Sequence, residues 1–223
     1  MTTPRRDFLS WLGASGAFAA AGLPVIPPAR TDTHLVPATD AWDMSWCDRV
    51  HGKLRAVFDS PEIADGDAIF RALLWRDQYR EVYGTRPTDM TAVAVLRHKG
   101  IALAMNDAYW ERFKIGEHAK VHTPDGKEWA TASPVSTVPP GMPPAFANYT
   151  LATLLSSGGI VLACNLAFSE SVIGKFKADG KLSDDEARKQ ALAHLVPGII
   201  LQPSGVFAVL RAQQAGCSYL FAS

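Results

Sequence analysis

Cysteine is scarce in this chain, and charge of neither sign dominates it. Three cysteines in 223 residues are too few for a disulfide-dense scaffold. The 22 lysines and arginines balance 22 aspartates and glutamates, so no broad field attracts nucleic acid or an anionic membrane surface. Beyond the N-terminus, no apolar run is long enough to span a bilayer. The composition predicts a globular domain with no nucleic-acid partner and no membrane contact after removal of its N-terminal segment.

Common catalytic and metal-binding signatures are also missing. The sequence contains no C-x-x-C, H-E-x-x-H or G-x-S-x-G motif, and Gly158-Gly159 is no dinucleotide fingerprint. His118 and His122 are four residues apart, a spacing that can bind a metal on a helix. However, a turn sequence follows directly at 123–126, and no third ligand is evident. The sequence therefore predicts no cofactor and no metal site.

The N-terminus carries the pattern of an export signal. Arg5 and Arg6 are followed by one polar residue and then Phe8-Leu9, the spacing of a twin-arginine (Tat) signal. No charged side chain occurs from residue 8 to residue 29, a stretch rich in alanine and glycine. A retained anchor is the alternative, but three glycines and three prolines there oppose a stable spanning helix. We expect residues 1–30 to be a cleaved Tat signal and the protein to be periplasmic or otherwise extracytoplasmic.

The rest of the chain is long enough for one domain with a substantial core. Residues 31–50 form a polar lead-in that partly packs through Trp42 and Trp46, and residues 51–223 form the domain. Within it, short apolar runs alternate about five times with helical spacing. This alternation predicts an α/β fold, a parallel sheet of about five strands with helices on both faces. The predicted strands are 53–59, 91–96, 160–164, 199–201 and 218–221, and the predicted helices are 67–83, 101–113, 149–156, one after 164, one from Ser183 and 206–215.

Residues 115–148 interrupt this alternation. They lack periodicity and carry six of the chain's 15 prolines. A loop of this length is uncommon in a compact domain unless it covers a site or packs against a partner. We expect a loop excursion at 115–148, which could form an oligomer or partner interface together with tryptophans such as Trp75, Trp110 and Trp129.

Three segments resemble proteins of the DsrE/DsrF-like family. The segment GIVLACNLA at 159–167 resembles the family's buried strand that delivers a cysteine. The segment VPGIILQPSGVF at 196–207 resembles its near-terminal strand and Pro-Ser-Gly turn, and LRAQQAGCSYL at 210–220 resembles its closing helix and strand. The resemblance is good from about residue 150 onward, weaker over 53–113, and absent from the signal and from 115–148. It implies a flavodoxin-like fold, frequent oligomerisation and, in some members, sulfur carried as a cysteine persulfide.

Polar residues cluster where the predicted strands end, the edge at which open parallel sheets bind ligands. The four strand ends are Asp59 and Ser60, His98 and Lys99, Cys164 and Asn165, and Gln202 and Ser204. Sulfur transfer needs a thiolate, which a nearby cation or helix N-terminus favours. We therefore take Cys164 as the candidate catalytic residue. The candidate substrate-binding residues are His98, Lys99, Asn165 and Ser204, and the implied partner is a small sulfur compound or a protein thiol.

Each of these residues also has an ordinary structural role open to it. A cysteine ending an apolar strand is often a small core hydrophobe, a loop histidine or lysine is often solvated, and Ser204 suits a helix N-cap. Cys217 is predicted to be core, and a Cys47–Cys164 disulfide would need the lead-in to cross the strand ends.

Three functions follow from these roles, and whether the protein is an enzyme stays open. The first is an exported sulfur relay through Cys164, and the second is a non-catalytic binding or oligomeric assembly module on the same fold. The third is a small-molecule enzyme that uses the strand-end pocket without the thiol. We expect a homo-oligomer.

Overall fold

The domain is built around one parallel sheet of five strands. The computed structural model describes residues 41–138 and 140–223, so the predicted signal and residues 31–40 of the lead-in lie outside the described residues. The strands are β1 (Leu54–Ser60), β2 (Met90–Leu96), β3 (Ile160–Cys164), β4 (Ile200–Gln202) and β5 (Ser218–Phe221). They are all parallel and lie in the order β4-β3-β2-β1-β5. This confirms the predicted flavodoxin-like α/β architecture.

Helices cover both faces of the sheet. They are α1 (Asp67–Tyr83), α2 (Asp107–Arg112), α3 (Ile115–Ala119), α4 (Leu151–Ser156), α5 (Asn165–Ala167, the π-helical Phe168–Ile173 and Gly174–Gly180), α6 (Asp184–Ala193) and α7 (Gly205–Gln214). Short 3₁₀ helices occupy Ser45–Arg49, Ala64–Gly66, Pro87–Asp89, His98–Ala104 and Pro144–Phe146. In the part of the chain that the structure describes, no helix is both long and apolar enough to cross a membrane.

Side chains that alternate along the central strands form two separate cores. Ala56, Phe58, Ala94 and Leu96 face the larger core with α1 and α5, whereas Val57, Val93, Val95 and Leu162 face α7 and the lead-in. Trp46 is fully buried in this second core, so the lead-in packs there as predicted. Strands that are buried on both faces are the physical reason for the continuous apolar runs in the sequence.

α1 begins at Asp67, as predicted, and its N-cap is Gly66 in the left-handed region at φ 86°. One predicted helix needs correction. The helix predicted over 101–113 is divided into the 3₁₀ segment at 98–104 and α2, because Met105 is extended and bridges Leu195.

The 115–148 excursion is attached to the domain at several points. It contains α3, and Val121 and Val135 are buried in the larger core. Gly116 lies so close to the Ala130 backbone that an added Cβ would clash with it. The predicted turn at 123–126 is confirmed by the hydrogen bond from the Gly126 amide to the Thr123 carbonyl.

The strand order places a topological switch point beside β1. From β1 the chain steps to β2, β3 and β4 on one side, and then returns to β5 on the other side of β1. Open α/β sheets bind ligands at the carboxyl end of such a switch point. The ends of β1 and β5 are therefore where polar side chains matter most.

Candidate functional site

The Cys164 thiol lies at the junction between β3 and α5. Cys164 is only 6% exposed and is the N-cap residue of α5. Its Sγ accepts a hydrogen bond from the Ala167 amide at 3.4 Å. The free N–H groups of a helix N-terminus favour negative charge, so this environment suits a thiolate sulfur.

An ion pair links the ends of β1 and β2 at the same edge of the sheet. Arg97 Nε and Nη2 donate to the two carboxylate oxygens of Asp59, at 2.7 and 2.9 Å. Asp59 is 2% exposed, and the Tyr219 hydroxyl donates to its Oδ2 at 3.0 Å. A planar bidentate pair of this kind fixes the guanidinium orientation as well as neutralising the buried charge. The ends of β2, β1 and β5 thus share one polar cluster.

Arg97 lies next to Cys164 along the sheet edge, because Leu96 of β2 pairs with Ala163 of β3. Its hydrogen bonds to Asp59 raise the pKa of Arg97. Gly205, the first residue of α7, sits against the Arg97 side chain, and a Cβ there would lie within 2.9 Å of three of its carbons. Only glycine therefore lets α7 start directly over Arg97. The Arg97 guanidinium itself is directed towards Asp59 on β1, and among the described residues no hydrogen bond or ion pair joins it to the Cys164 sulfur.

His98 and Lys99 do not join this cluster. Both side chains are exposed and pair with Glu62, at 3.6 Å from His98 Nδ1 and 3.2 Å from Lys99 Nζ. His98 has φ 51°, so the backbone turns away from the strand direction directly after Arg97. Among the described residues, no hydrogen bond or ion pair joins either side chain to Cys164. The solvated alternative fits these two positions better than substrate binding does.

Asn165 and Ser204 lie at the predicted edge, and each has a structural partner. Asn165 Oδ1 accepts from Arg188 Nη2 at 3.2 Å. Ser204 Oγ accepts from the Phe207 amide at 3.1 Å, which makes it the N-cap of α7. Ser204 therefore fills the alternative role that its sequence context offered.

Arg97 and Tyr219 belong to the polar cluster, but neither was predicted as a site residue from the sequence. Arg97 directly precedes His98, so the prediction for the end of β2 fell one residue too far along the chain. Tyr219 lies within the closing strand, where an aromatic residue suggests only packing. No signal in a single sequence identifies Tyr219, because its contact with Asp59 depends on β5 lying beside β1.

The other two cysteines occupy different environments. All three cysteines are free thiols, so no Cys47–Cys164 disulfide forms. Cys47 is half-buried on the α7 side of the sheet. Cys217 is buried in that core, as predicted, and burial raises its pKa to about 11 from 9.0. Cys217 therefore stays protonated at neutral pH and is a poor nucleophile.

We expect Cys217 to make the fold sensitive to alkali. Because the raised pKa belongs to the folded state, its stabilising contribution is complete below pH 9 and is lost as pH rises towards 11. The shift from 9.0 to about 11 corresponds to about 2–3 kcal/mol. Urea unfolding of wild type and Cys217→Ala at pH 8 and pH 11 measures this difference. Equal losses of stability in the two proteins would contradict it.

The 115–148 excursion lines a cleft that does not include Cys164. The cleft has a volume of about 580 Å³ and is lined by residues that include Asp65, Lys120, His122 and Ser133. His122 stacks on Trp129 with 4.0 Å between ring centroids, in the hairpin that follows α3. Over 41–138 and 140–223, no group of three histidine, cysteine or acidic residues is placed to hold a metal ion.

Comparison with known proteins adds a distant structural similarity. No protein-family model matches this chain, and no curated protein matches its sequence. A solved structure similar to it is the protein of unknown function MTH1491 from Methanobacterium thermoautotrophicum, with 15% identity and a TM-score of 0.37. That match covers 75% of this chain and 98% of the other. The functional conclusions below therefore rest on the residues of this chain.

Proposed function

We propose that this protein is an exported DsrE-like sulfur carrier that holds a persulfide on Cys164. The surroundings of the Cys164 sulfur support the proposal most directly. Its Sγ lies at the start of α5 and accepts the Ala167 amide hydrogen bond, and Arg97 follows the neighbouring strand β2 at the same sheet edge. A helix N-terminus and a fixed cation are the two features that favour a sulfur anion, whether thiolate or persulfide.

The transfer needs no oxidant. The Cys164 thiolate attacks the outer sulfur of a persulfide donor, the Sγ–S bond forms, and the S–S bond of the donor breaks. The donor leaves as a thiolate, and Cys164 becomes a persulfide. An acceptor thiolate then attacks the outer sulfur, which restores the Cys164 thiolate. The donor and acceptor classes are a small sulfur compound or a protein thiol.

Burial addresses the difficulty that an exported thiol faces. Outside the cytoplasm, isolated thiols tend to be oxidised. At 6% exposure, Cys164 offers little surface to an oxidant, whereas the half-buried Cys47 offers more. A buried carrier cysteine at a sheet edge is therefore compatible with the predicted Tat export.

The test is to load the protein with sulfur and locate it. We expect treatment with inorganic polysulfide, followed by alkylation and peptide mass spectrometry, to place the added sulfur on the Cys164 peptide. Cys164→Ser should lose this signal, and the matched control Cys47→Ser should retain it. Cys217 serves as an internal negative control that should gain no sulfur, because the pKa of its thiol is raised to about 11. Sulfur found only on Cys47, or none on Cys164 in the folded protein, would overturn the carrier function.

A non-catalytic assembly module is the second candidate, and exposed apolar residues on α7 and β5 favour it. These include Leu210 and Leu220, at 54% and 44% exposure. In this case Cys164 is only packed, and Cys164→Ser leaves the behaviour of the protein unchanged. The same mass-spectrometric comparison separates the two functions.

A further inference from the structure

The largest exposed apolar residues in the last part of the chain lie on two adjacent elements. α7 exposes Val206, Phe207 and Leu210, and β5 exposes Tyr219, Leu220 and Phe221. We call these six residues the α7–β5 surface. Tyr219 pairs in register with Val57, so it projects on the side of the sheet that α7 covers, while Leu220 projects on the other side. The surface therefore wraps around an edge of the sheet where, among the described residues, β5 pairs with no further strand.

The backbone of β5 can still accept another strand at this edge. The Ala222 amide donates to the Asp59 carbonyl, so the backbone groups of Tyr219 and Phe221 point away from β1. Arg71 Nη1 donates to the Phe221 carbonyl at 3.4 Å, which occupies one outward acceptor. The Tyr219 amide and carbonyl point outward next to it. An open edge with apolar side chains invites strand pairing, which soluble proteins usually prevent with charged residues.

The charge pattern favours a second copy of this chain as the occupant. Arg211 is the only charged side chain between residues 202 and 223, and it is half-buried. Arg71 of α1 borders the surface at Phe221, but it forms an ion pair with Asp67, so the local charge is balanced. An isologous interface must be complementary to itself, and a surface without net charge meets its own copy with little like-charge repulsion.

The six side chains supply about two-thirds of the area that a standard dimer interface buries on each partner. With 38–64% of each side chain exposed, the six residues offer roughly 500–600 Å² of apolar surface. A standard interface buries about 800 Å² on each partner. Flanking polar residues such as Gln213, Gln214 and Ser218 are exposed beside the surface and supply a polar rim.

We propose that two copies of this chain associate through the α7–β5 surface, with their β5 strands antiparallel about a two-fold axis. An axis perpendicular to the sheet keeps corresponding faces on the same side. The two α7 helices then flank Tyr219 and Phe221 of both copies, and the two Leu220 side chains meet on the opposite face. This differs from the interface expected at residues 115–148.

Sedimentation velocity with Leu220→Glu tests the dimer. We expect the dimer to have a Kd near 1 μM, so the wild-type protein should be mostly dimeric at about 10 μM. Leu220→Glu should raise the Kd about 100-fold, because it removes apolar contact and brings two carboxylates together across the axis. Leu192→Glu is the matched control, since Leu192 is a leucine of similar exposure on α6, at 41% against 44%. It should leave the dimer unchanged.

Leu210→Glu provides an independent second variant on α7, and circular dichroism establishes that each variant is folded. A wild-type protein that stays monomeric at this concentration would overturn the proposal, as would dimers of Leu220→Glu and Leu210→Glu as tight as that of Leu192→Glu. A monomer in which the β5 amides exchange slowly with solvent deuterium would assign the surface to another segment of the same chain, and would equally overturn it.

Discussion

Arg97→Met is expected to lower the free energy of unfolding by about 3 kcal/mol. The substitution keeps much of the Arg97 stem but leaves the Asp59 carboxylate, which is 2% exposed, without its ion-pair partner. Removing one partner of a buried pair costs about 3–5 kcal/mol, mostly because the remaining charge stays desolvated. We expect the lower end, because the Arg97 side chain is 30% exposed and Tyr219 still donates to Asp59.

A surface ion pair provides the control for Arg97. Arg86→Met breaks the pair with Asp89, in which the arginine side chain is 77% exposed, so its effect should be far smaller. The double variant Asp59→Asn/Arg97→Met should be more stable than Arg97→Met, because no unpaired charge is left buried. Urea unfolding at constant m-value measures all of these. An Arg97→Met protein no less stable than Arg86→Met would show that the pair does not support the fold.

The fold was largely predictable because residues close together in the sequence determine each strand and each helix boundary. Each strand buried on both faces reads as a continuous apolar run, as in β2 (Met90–Leu96), where all seven residues are buried. Helix boundaries were predictable where a specific residue sets them. Gly84 at φ 63° ends α1, and the Ser183 hydroxyl accepts the Glu186 amide at the start of α6. These features depend on residues close together in the sequence.

The candidate site was only half predictable because its contacts are not local. Cys164 could be found because it ends a strand and precedes a helix. The contact between Asp59 and Tyr219 needs β5 beside β1, and a single sequence does not specify strand order. Arg97 joins the site in place of the predicted His98, and the reason lies in the backbone. Arg97 is still extended at φ −138° and ψ 169°, whereas His98 is left-handed and leaves the sheet edge.

The packing of the 3₁₀ helix that follows β2 leads to the second large effect. Gly100 is buried, and its amide donates to the Pro61 carbonyl at 3.1 Å. A Cβ at this position would lie well inside contact distance of the Ser60 carbonyl oxygen and 3.0 Å from the Glu62 carbonyl oxygen. Backbone carbonyls cannot rotate away as a flexible side chain can. The Ser60 carbonyl also accepts the Arg97 amide at 3.0 Å, so any displacement reaches the candidate site.

Gly100→Ala should therefore destabilise the protein by about 2–3 kcal/mol, the cost of overpacking at a rigid contact. Gly174→Ala is the matched control, because Gly174 is helical within α5 and an added Cβ meets no atom within 4 Å. There alanine should stabilise the protein by about 0.5–1 kcal/mol through its higher helix propensity. In a chain of this length, the melting temperatures should fall by about 4–12 °C for Gly100→Ala and rise by about 1–4 °C for Gly174→Ala. Equal melting temperatures for the two variants would mean that the β1–α1 loop yields to the methyl group, and that Gly100 does not hold Arg97 in place.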